Sequence, residues 1–302
     1  MTRLRILRAG PLTTIQDNGR FGMLRHGISA SGPMDRSAFA HAAELVAGAG
    51  PAGIECTMAG IEIEVISDEC RVGYAGGAFQ VKLNGTELPW PGATDLRMGD
   101  RLAIRPGPAG NYAYLRFDMT IDVPLVMGSR STNIRVGLGG FDGRVLGKGD
   151  EIELVETDSP DTGRSSRVEN TPQEPIRVLW GLHAMDLPHG LREGLLENAF
   201  AVSKQMDRMG VRLEDSGGVF ADAAGLSLVS DAIVPGDIQI LGDGTPVVLM
   251  RDHQPTGGYP RVATIISADL DRFAQLRSGT RVLFESVSLA HAQGLRTSGS
   301  VR

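Results

Sequence analysis

Glycine and proline interrupt this chain so often that few long elements can form. Forty glycines and sixteen prolines among 302 residues cut it into short pieces, most of them β-like. The clearest, Ile61-Glu62-Ile63-Glu64-Val65-Ile66, alternates apolar and acidic residues as a half-buried strand does. Phe79-Gln80-Val81-Lys82-Leu83 alternates likewise and runs into Asn84-Gly85, a strong hairpin turn. The pattern predicts further strands over 101–104, 151–155, 176–179, 246–250 and 281–284. Gly-Asp stands just before a strand at Gly99-Asp100 and at Gly149-Asp150, a turn feeding each one. Helices are fewer. One is expected over 34–46, after the Ser31-Gly32-Pro33 turn, and one over 191–200 with Pro188 near its start; a short third covers 270–276. Short strands with turns roughly every ten residues point to a mainly β protein of closed barrels or sandwiches with a few helices.

Three phrases recur in order at nearly the same spacing. Met34-Asp35-Arg36 returns as Met206-Asp207-Arg208, each three residues after a serine. Ala75-Gly76-Gly77 returns as Thr256-Gly257-Gly258, and Leu96-Arg97-Met98-Gly99-Asp100-Arg101 as Leu276-Arg277-Ser278-Gly279-Thr280-Arg281. Together they argue for a duplicated unit, and two similar lobes would create a groove, a favoured place for a ligand. The expected division is a first lobe over 1–155, a linker or exposed loop over 156–175, a second lobe over 176–290 and a flexible tail over 291–302.

The formal charge of −6 gives no basic field for nucleic acid. All but three of the thirty basic residues (Lys82, Lys148 and Lys204) are arginines. Cys56 and Cys70 show no metal-ligand or Cys-x-x-Cys spacing, which suits a reducing compartment. Charges interrupt every apolar pair of the first eight residues, and no apolar run is long enough to span a bilayer. A cytoplasmic location is expected, with neither membrane nor nucleic acid as partner.

Four constellations could carry chemistry. Gln16-Asp17-Asn18-Gly19-Arg20 packs an amide, a carboxylate and a guanidinium between turns. It reads either as a ligand loop or as a turn network with Asp17 and Asn18 closing Asx turns, and spacing alone favours the network. Gly128-Ser129-Arg130-Ser131-Thr132 leads into Gly137-Leu138-Gly139-Gly140-Phe141-Asp142-Gly143, where glycine backbone could turn N–H groups toward an anion. It matches neither a Walker loop nor the dinucleotide fingerprint. Asp252-His253-Gln254-Pro255-Thr256-Gly257-Gly258-Tyr259 is chemically dense and follows a strand, where sites tend to lie. Asp35 and Asp207 could reach toward one substrate, or each could cap the turn after it. His183, Asp186 and His189 are not expected to bind metal, because Pro188 breaks any helix that would align them. No Met-Lys-Met carrier site is present, so attached biotin is not expected.

These stretches, with Gly10-Pro11-Leu12-Thr13-Thr14-Ile15-Gln16-Asp17 and Thr256-Gly257-Gly258-Tyr259-Pro260, come in an order that resembles a known family. It is the family of the C-type subunit of 5-oxoprolinase, also called allophanate hydrolase subunit 2 or KipA, and is similar to the A and B subdomains of the urea carboxylase carboxyltransferase part. The resemblance implies two pseudo-repeated cyclophilin-like β-barrel lobes. It implies an ATP-hydrolysing 5-oxoprolinase active only in complex, with a KipI-type (B-type) and a LamB/YcsF-type (A-type) protein as partners and a small amide as substrate. ATP would be a co-substrate, with Mg2+ beside it. Carried onto this chain, Asp35, Arg130, Asp207, Gln254, Thr256 and Tyr259 become candidate catalytic residues. Gln16, Asp17, Arg20, Ser131, Thr132, Gly139 and Gly140 become candidate nucleotide contacts, and Asp35, Asp207 or Asp252 could place magnesium. Two alternatives stay open: carboxyl transfer to a urea-like amide with a separate biotin carrier, and a non-enzymatic antagonist of a KipI-type kinase inhibitor. The chain departs from the family pattern at His253-Gln254-Pro255-Thr256, where Arg or a similar residue followed by Gln-Thr-Thr is usual, and at Trp180-Gly181-Leu182, where Pro-Gly-Pro is common. Both changes fall in expected ligand loops, which leaves room for a different amide substrate.

Overall fold

The computed structural model describes residues 1–158, Asp161, 174–223 and 228–298. The chain divides into two compact units, 1–21 with 30–167 and 22–29 with 168–302. Most of the expected linker lies outside the described residues. Both units are mainly β, barrel lobes of the cyclophilin-like kind, with helices α1 (Arg36–Glu44), α2 (His189–Glu197), α3 (Ser267–Ala274) and α4 (Leu289–Ser298) among the described residues.

Unit 1 winds a ten-stranded sheet around one core. Thr2–Ala9 buries Leu4 and Ile6 and turns Arg3 and Arg5 outward, between antiparallel Ile61–Ser67 and Glu151–Val155. In Ile61–Ser67 the alternation holds as expected. Ile61, Ile63 and Val65 are fully buried, while Glu62 and Glu64 reach Arg105 at 2.8 Å and Arg101 at 2.9 Å. Two strands far exceed the expected length: Glu69–Leu83 and Arg101–Phe117 pair along most of their extent, with register shifts around Ala78. The bulges let one continuous pair bend and belong to two parts of the barrel. Helix α1 buries Phe39, Ala42 and Ala43 and lies directly on Glu69–Leu83, because Gly73 leaves no Cβ to meet the Ala42 carbonyl.

Unit 2 holds an eight-stranded sheet, from Arg281–Val282 at one edge through Phe200–Met206, Gly210–Glu214, Pro246–Leu249, Asp237–Ile240, Arg261–Ile265 and Ile176–Trp180 to Phe284–Ser286. Only the last pair is parallel. The tail expected to be flexible over 291–302 instead carries α4 to Ser298.

The repeated phrases fare unequally. Met34-Asp35-Arg36 leads into a helix, whereas Met206-Asp207-Arg208 turns a hairpin, so that twinned triplet marks no equivalent position. The Gly99 and Gly279 turns do correspond. Gly99 N donates to the Val65 carbonyl at 2.8 Å and Asp100 O accepts Val65 N–H at 3.0 Å; Gly279 and Thr280 treat Val202 the same way at 2.7 and 2.9 Å. Gly149-Asp150 grips Ile6 in a third copy at 2.8 Å on both sides. All three glycines have φ between +84° and +92°, a region side chains resist. The Gly-Asp phrase is thus a turn that also locks a neighbouring strand.

Candidate functional site

In unit 1 the strand Thr14–Gln16, paired with Gly53–Thr57, delivers Asp17 beside the segment 126–144. The Asp17 carboxylate accepts from Ser129 Oγ and Ser131 Oγ at 2.6 Å, Arg130 N at 2.5 Å and Gly19 N at 2.9 Å. Burial pushes its pKa up, but the two hydroxyls and two backbone N–H groups outweigh that and hold it below the usual carboxylate range. An anion with four donors is a fastener, not a proton acceptor. The Gly19 bond is the expected Asx turn.

The neighbours are equally committed. Gln16 is fully buried, donates to Thr14 Oγ1 at 2.9 Å and Thr132 O at 3.1 Å, and accepts Gly32 N at 3.1 Å. Arg20 Nε donates to Val126 O at 2.8 Å and Nη2 to Ser131 O at 2.9 Å. Thr132 Oγ1 donates to Ile15 O at 2.9 Å. A Cβ on Gly139 would strike the Ser131 carbonyl, and one on Gly140 the Thr132 hydroxyl, so both glycines serve close packing. Gly140 N and Gly143 N donate to Arg130 O and Gly139 O at 2.8 Å, which removes two donors from any phosphate cradle. The structure therefore brings Gln16, Asp17, Arg20, Ser131, Thr132, Gly139 and Gly140 together as a buried clamp. Half-buried Arg130 lends its backbone N–H and carbonyl to the clamp, and its Nε finds no hydrogen-bond partner among the described residues.

Asp35 accepts Ala38 N at 2.8 Å as the N-cap of α1, and its own N–H donates to Tyr114 Oη at 2.7 Å. Tyr114 Oη donates to Glu55 Oε2 at 3.0 Å, which also accepts Met34 N at 2.8 Å. Burial, then the charges of Glu55 and Asp35, push the Tyr114 phenol well above its ordinary value. Sequence reasoning missed Glu55 and Tyr114. The available signal was a carboxylate inside Gly53–Thr57, a strand buried on both faces.

In unit 2, Asp207 Oδ1 accepts Met209 N at 2.7 Å and Gly210 N at 3.1 Å, closing the hairpin. Arg208 grips Asp252 through Nε at 2.8 Å and Nη2 at 3.2 Å, with side chains 2% and 1% exposed. His253 is buried, its Nδ1 2.6 Å from Gln254 O, and desolvation lowers its pKa. Gln254, Thr256 and Tyr259 face outward. Thr256–Gly257 forms a two-residue ladder with Asp231–Ala232, which Arg261 ties down through Ala232 O at 2.8 Å and Asp231 Oδ2 at 2.6 Å. Gly181, at the Trp180-Gly181-Leu182 departure, leaves room for the Arg261 carbonyl.

Magnesium does not fit the carboxylates proposed for it. Asp35 and Asp207 cap backbone N–H groups, and both Asp252 oxygens are held by Arg208. No group of three or more His, Cys, Asp or Glu suited to an ion occurs among the described residues. Nor is any helix there long and apolar enough to cross a membrane.

Residues 26–286 match the family described as "Carboxyltransferase domain, subdomain A and B". The chain is 34% identical to the C-type subunit of 5-oxoprolinase from Escherichia coli (strain K12), covering 96% of this chain and 93% of that one. It is 31% identical to urea amidolyase of Saccharomyces cerevisiae over 99% of its own length but only 17% of the relative's. The crystal structure of K. lactis urea amidolyase superposes with a TM-score of 0.86 at 28% identity, over 99% of this chain and 19% of that one. This chain thus spans less than a fifth of either urea enzyme.

Proposed function

We propose, because this chain belongs to the carboxyltransferase subdomain A and B family, that it is one component of an ATP-dependent 5-oxoprolinase. The observation that carries the reading is the nearly end-to-end match to the C-type subunit of a 5-oxoprolinase. With B- and A-type partners the γ-phosphoryl group of ATP would pass to the lactam oxygen as ADP departs. Water would then add to the activated ring carbon and the C–N bond would open to leave γ-glutamyl phosphate, from which a second water would release phosphate, giving glutamate. A lactam is a poor electrophile, and this coupling supplies the leaving group it lacks.

Within this chain the buried clamp holds loop 129–132 in place, and Arg130 is its half-buried cation for an anionic group. Thr256 and Tyr259 are the outward groups of unit 2 for the substrate. The test is co-expression with B- and A-type partners and measurement of 5-oxoproline-dependent ADP release. Arg130→Ala should cut kcat/KM by roughly a hundredfold or more while partners still co-purify. No turnover by the three-protein mixture would overturn the reading; unchanged turnover in the variant would overturn the role of Arg130.

A second reading, carboxyl transfer to a urea-like amide, is supported by the match of 99% of this chain to urea amidolyase and by Pro255 in the loop before Thr256. Urea-dependent consumption of a carboxybiotinylated carrier, with no response to 5-oxoproline, would favour it.

A further inference from the structure

Gln239 lies in the middle of Asp237–Ile240, 1% exposed, in a ladder position opposite Arg261. Its Nε2 is buried and finds no hydrogen-bond partner among the described residues. A buried amide donor left in that condition is destabilising. What faces it is the Thr-Gly-Gly-Tyr loop. An ideal Cβ on Gly257 would stand 2.6 Å from Gln239 Nε2 and 3.2 Å from Ile233 Cδ1. Glycine at this position thus lets the loop backbone pack directly against the amide. Thr256 and Tyr259, exposed on the same loop, flank it in sequence.

We propose that Gln239 is a specificity-determining residue that reads a cis amide, lifting the Thr256–Gly258 stretch to do so. Resting on the amide-substrate reading above, this deepens it by naming the substrate edge that is recognised. A glutamine side chain is a primary amide, with an N–H donor and an oxygen acceptor on one edge. A lactam ring forces its own amide cis, so its C=O and N–H also share an edge, and the two edges pair through two hydrogen bonds. Urea offers the same edge. An open-chain secondary amide is almost wholly trans and presents the two groups on opposite sides.

The loop can yield at small cost. Its ladder to Asp231–Ala232 has two residue pairs, and Gly258 O accepts one further bond from Leu228 N at 2.7 Å. Arg261 holds Asp231 and Ala232 from below, so the partner strand stays in place when the loop lifts.

Saturation-transfer NMR on the purified full chain tests this with 2-pyrrolidinone, a neutral cis lactam, and N-methylacetamide, its trans counterpart. The wild type should bind the first and not the second. Gln239→Leu should weaken 2-pyrrolidinone binding by about tenfold or more. Gly257→Ala keeps the glutamine but sets a methyl against its Nε2 in the resting loop, which favours the lifted loop, and should strengthen 2-pyrrolidinone binding while circular dichroism shows an intact fold. Absence of 2-pyrrolidinone binding to the wild type, equal binding of both amides, or unchanged binding in both folded variants would overturn the proposal. Lactam binding that depends on Gln239, in a protein that supports no 5-oxoproline-dependent ADP release, would remove the 5-oxoprolinase reading and leave this one standing. Normal turnover with an unchanged KM in Gln239→Leu would do the reverse.

Discussion

The Ser131 hydroxyl lies 2.6 Å from the Asp17 carboxylate and accepts the Asp17 N–H at 3.0 Å, so one side chain secures both groups of the same residue. Ser129 adds a second hydroxyl to the carboxylate. Asp17→Asn keeps the shape but replaces an anion by a neutral amide that brings its own donors. A loss of about 3 kcal/mol is expected, read as a lower urea midpoint at unchanged slope.

Because the folded pKa of Asp17 is depressed, the carboxylate contributes stability above its unfolded value of about 4 and loses it as pH falls through the folded value. The stability gap between wild type and Asp17→Asn should therefore be full at neutral pH and shrink in acid below about pH 4. A gap constant from pH 7 to pH 2 would show that the charge is not what matters.

Arg116 offers the sharpest contrast between buried and exposed charge. Its side chain is wholly buried, donates to Phe39 O at 3.2 Å and Gly50 O at 2.6 Å, and pairs with Asp161 at 2.8 Å. Its guanidinium also sits 3.9 Å from the centre of the Phe39 ring. Asp161→Ala leaves that charge uncompensated and should cost about 3–5 kcal/mol. Asp95→Ala breaks an equally short pair with Arg71, but those side chains are 72% and 44% exposed, and the cost should stay within about 1 kcal/mol. Chemical denaturation of the two variants side by side decides it.

His253 is held neutral chiefly by burial, with its folded pKa below the ordinary 6.5. Between the folded and unfolded values the unfolded chain binds the extra proton, so stability falls as pH drops below about 6.5. His253→Gln should flatten the stability curve in that interval. A variant curve parallel to the wild type would remove His253 as the cause.

Cys56 and Cys70 are buried, and desolvation pushes each thiol up to about 12. Neither should react with a thiol-directed disulfide reagent at pH 8 in the native protein. Both should react after denaturation, and native labelling of either one would contradict the packing described.

Much of the β framework was legible because alternation and turn chemistry are local. Ile61–Ser67 and the hairpin at Asn84-Gly85 follow directly from their residues. Helix α4 was not legible: Gly294 lies within it, and most of its length fell in the 291–302 stretch expected to be a flexible tail. The burial of Arg116 was not legible either, because its partner is 45 positions away. The twinned Met-Asp-Arg misled because three identical residues carry no information about the bonds their backbone makes. In the candidate site, the residues of the 16–20 and 131–140 motifs fall together in space, but which side chains face inward depends on tertiary contacts. Gln239 illustrates this, since nothing nearby in sequence announces an unanswered donor.

The Asp17 clamp joins residues more than a hundred positions apart, from the 14–20 stretch to the 126–132 stretch. During synthesis the first partner leaves the ribosome long before the second exists. Until the 126–131 stretch emerges, the carboxylate lacks its two hydroxyl donors and the Arg20 fork its carbonyl acceptors, so this corner must assemble late and from distant ends. A fragment truncated ahead of Val126 would carry most of the barrel's strands and still lack the knot that closes them.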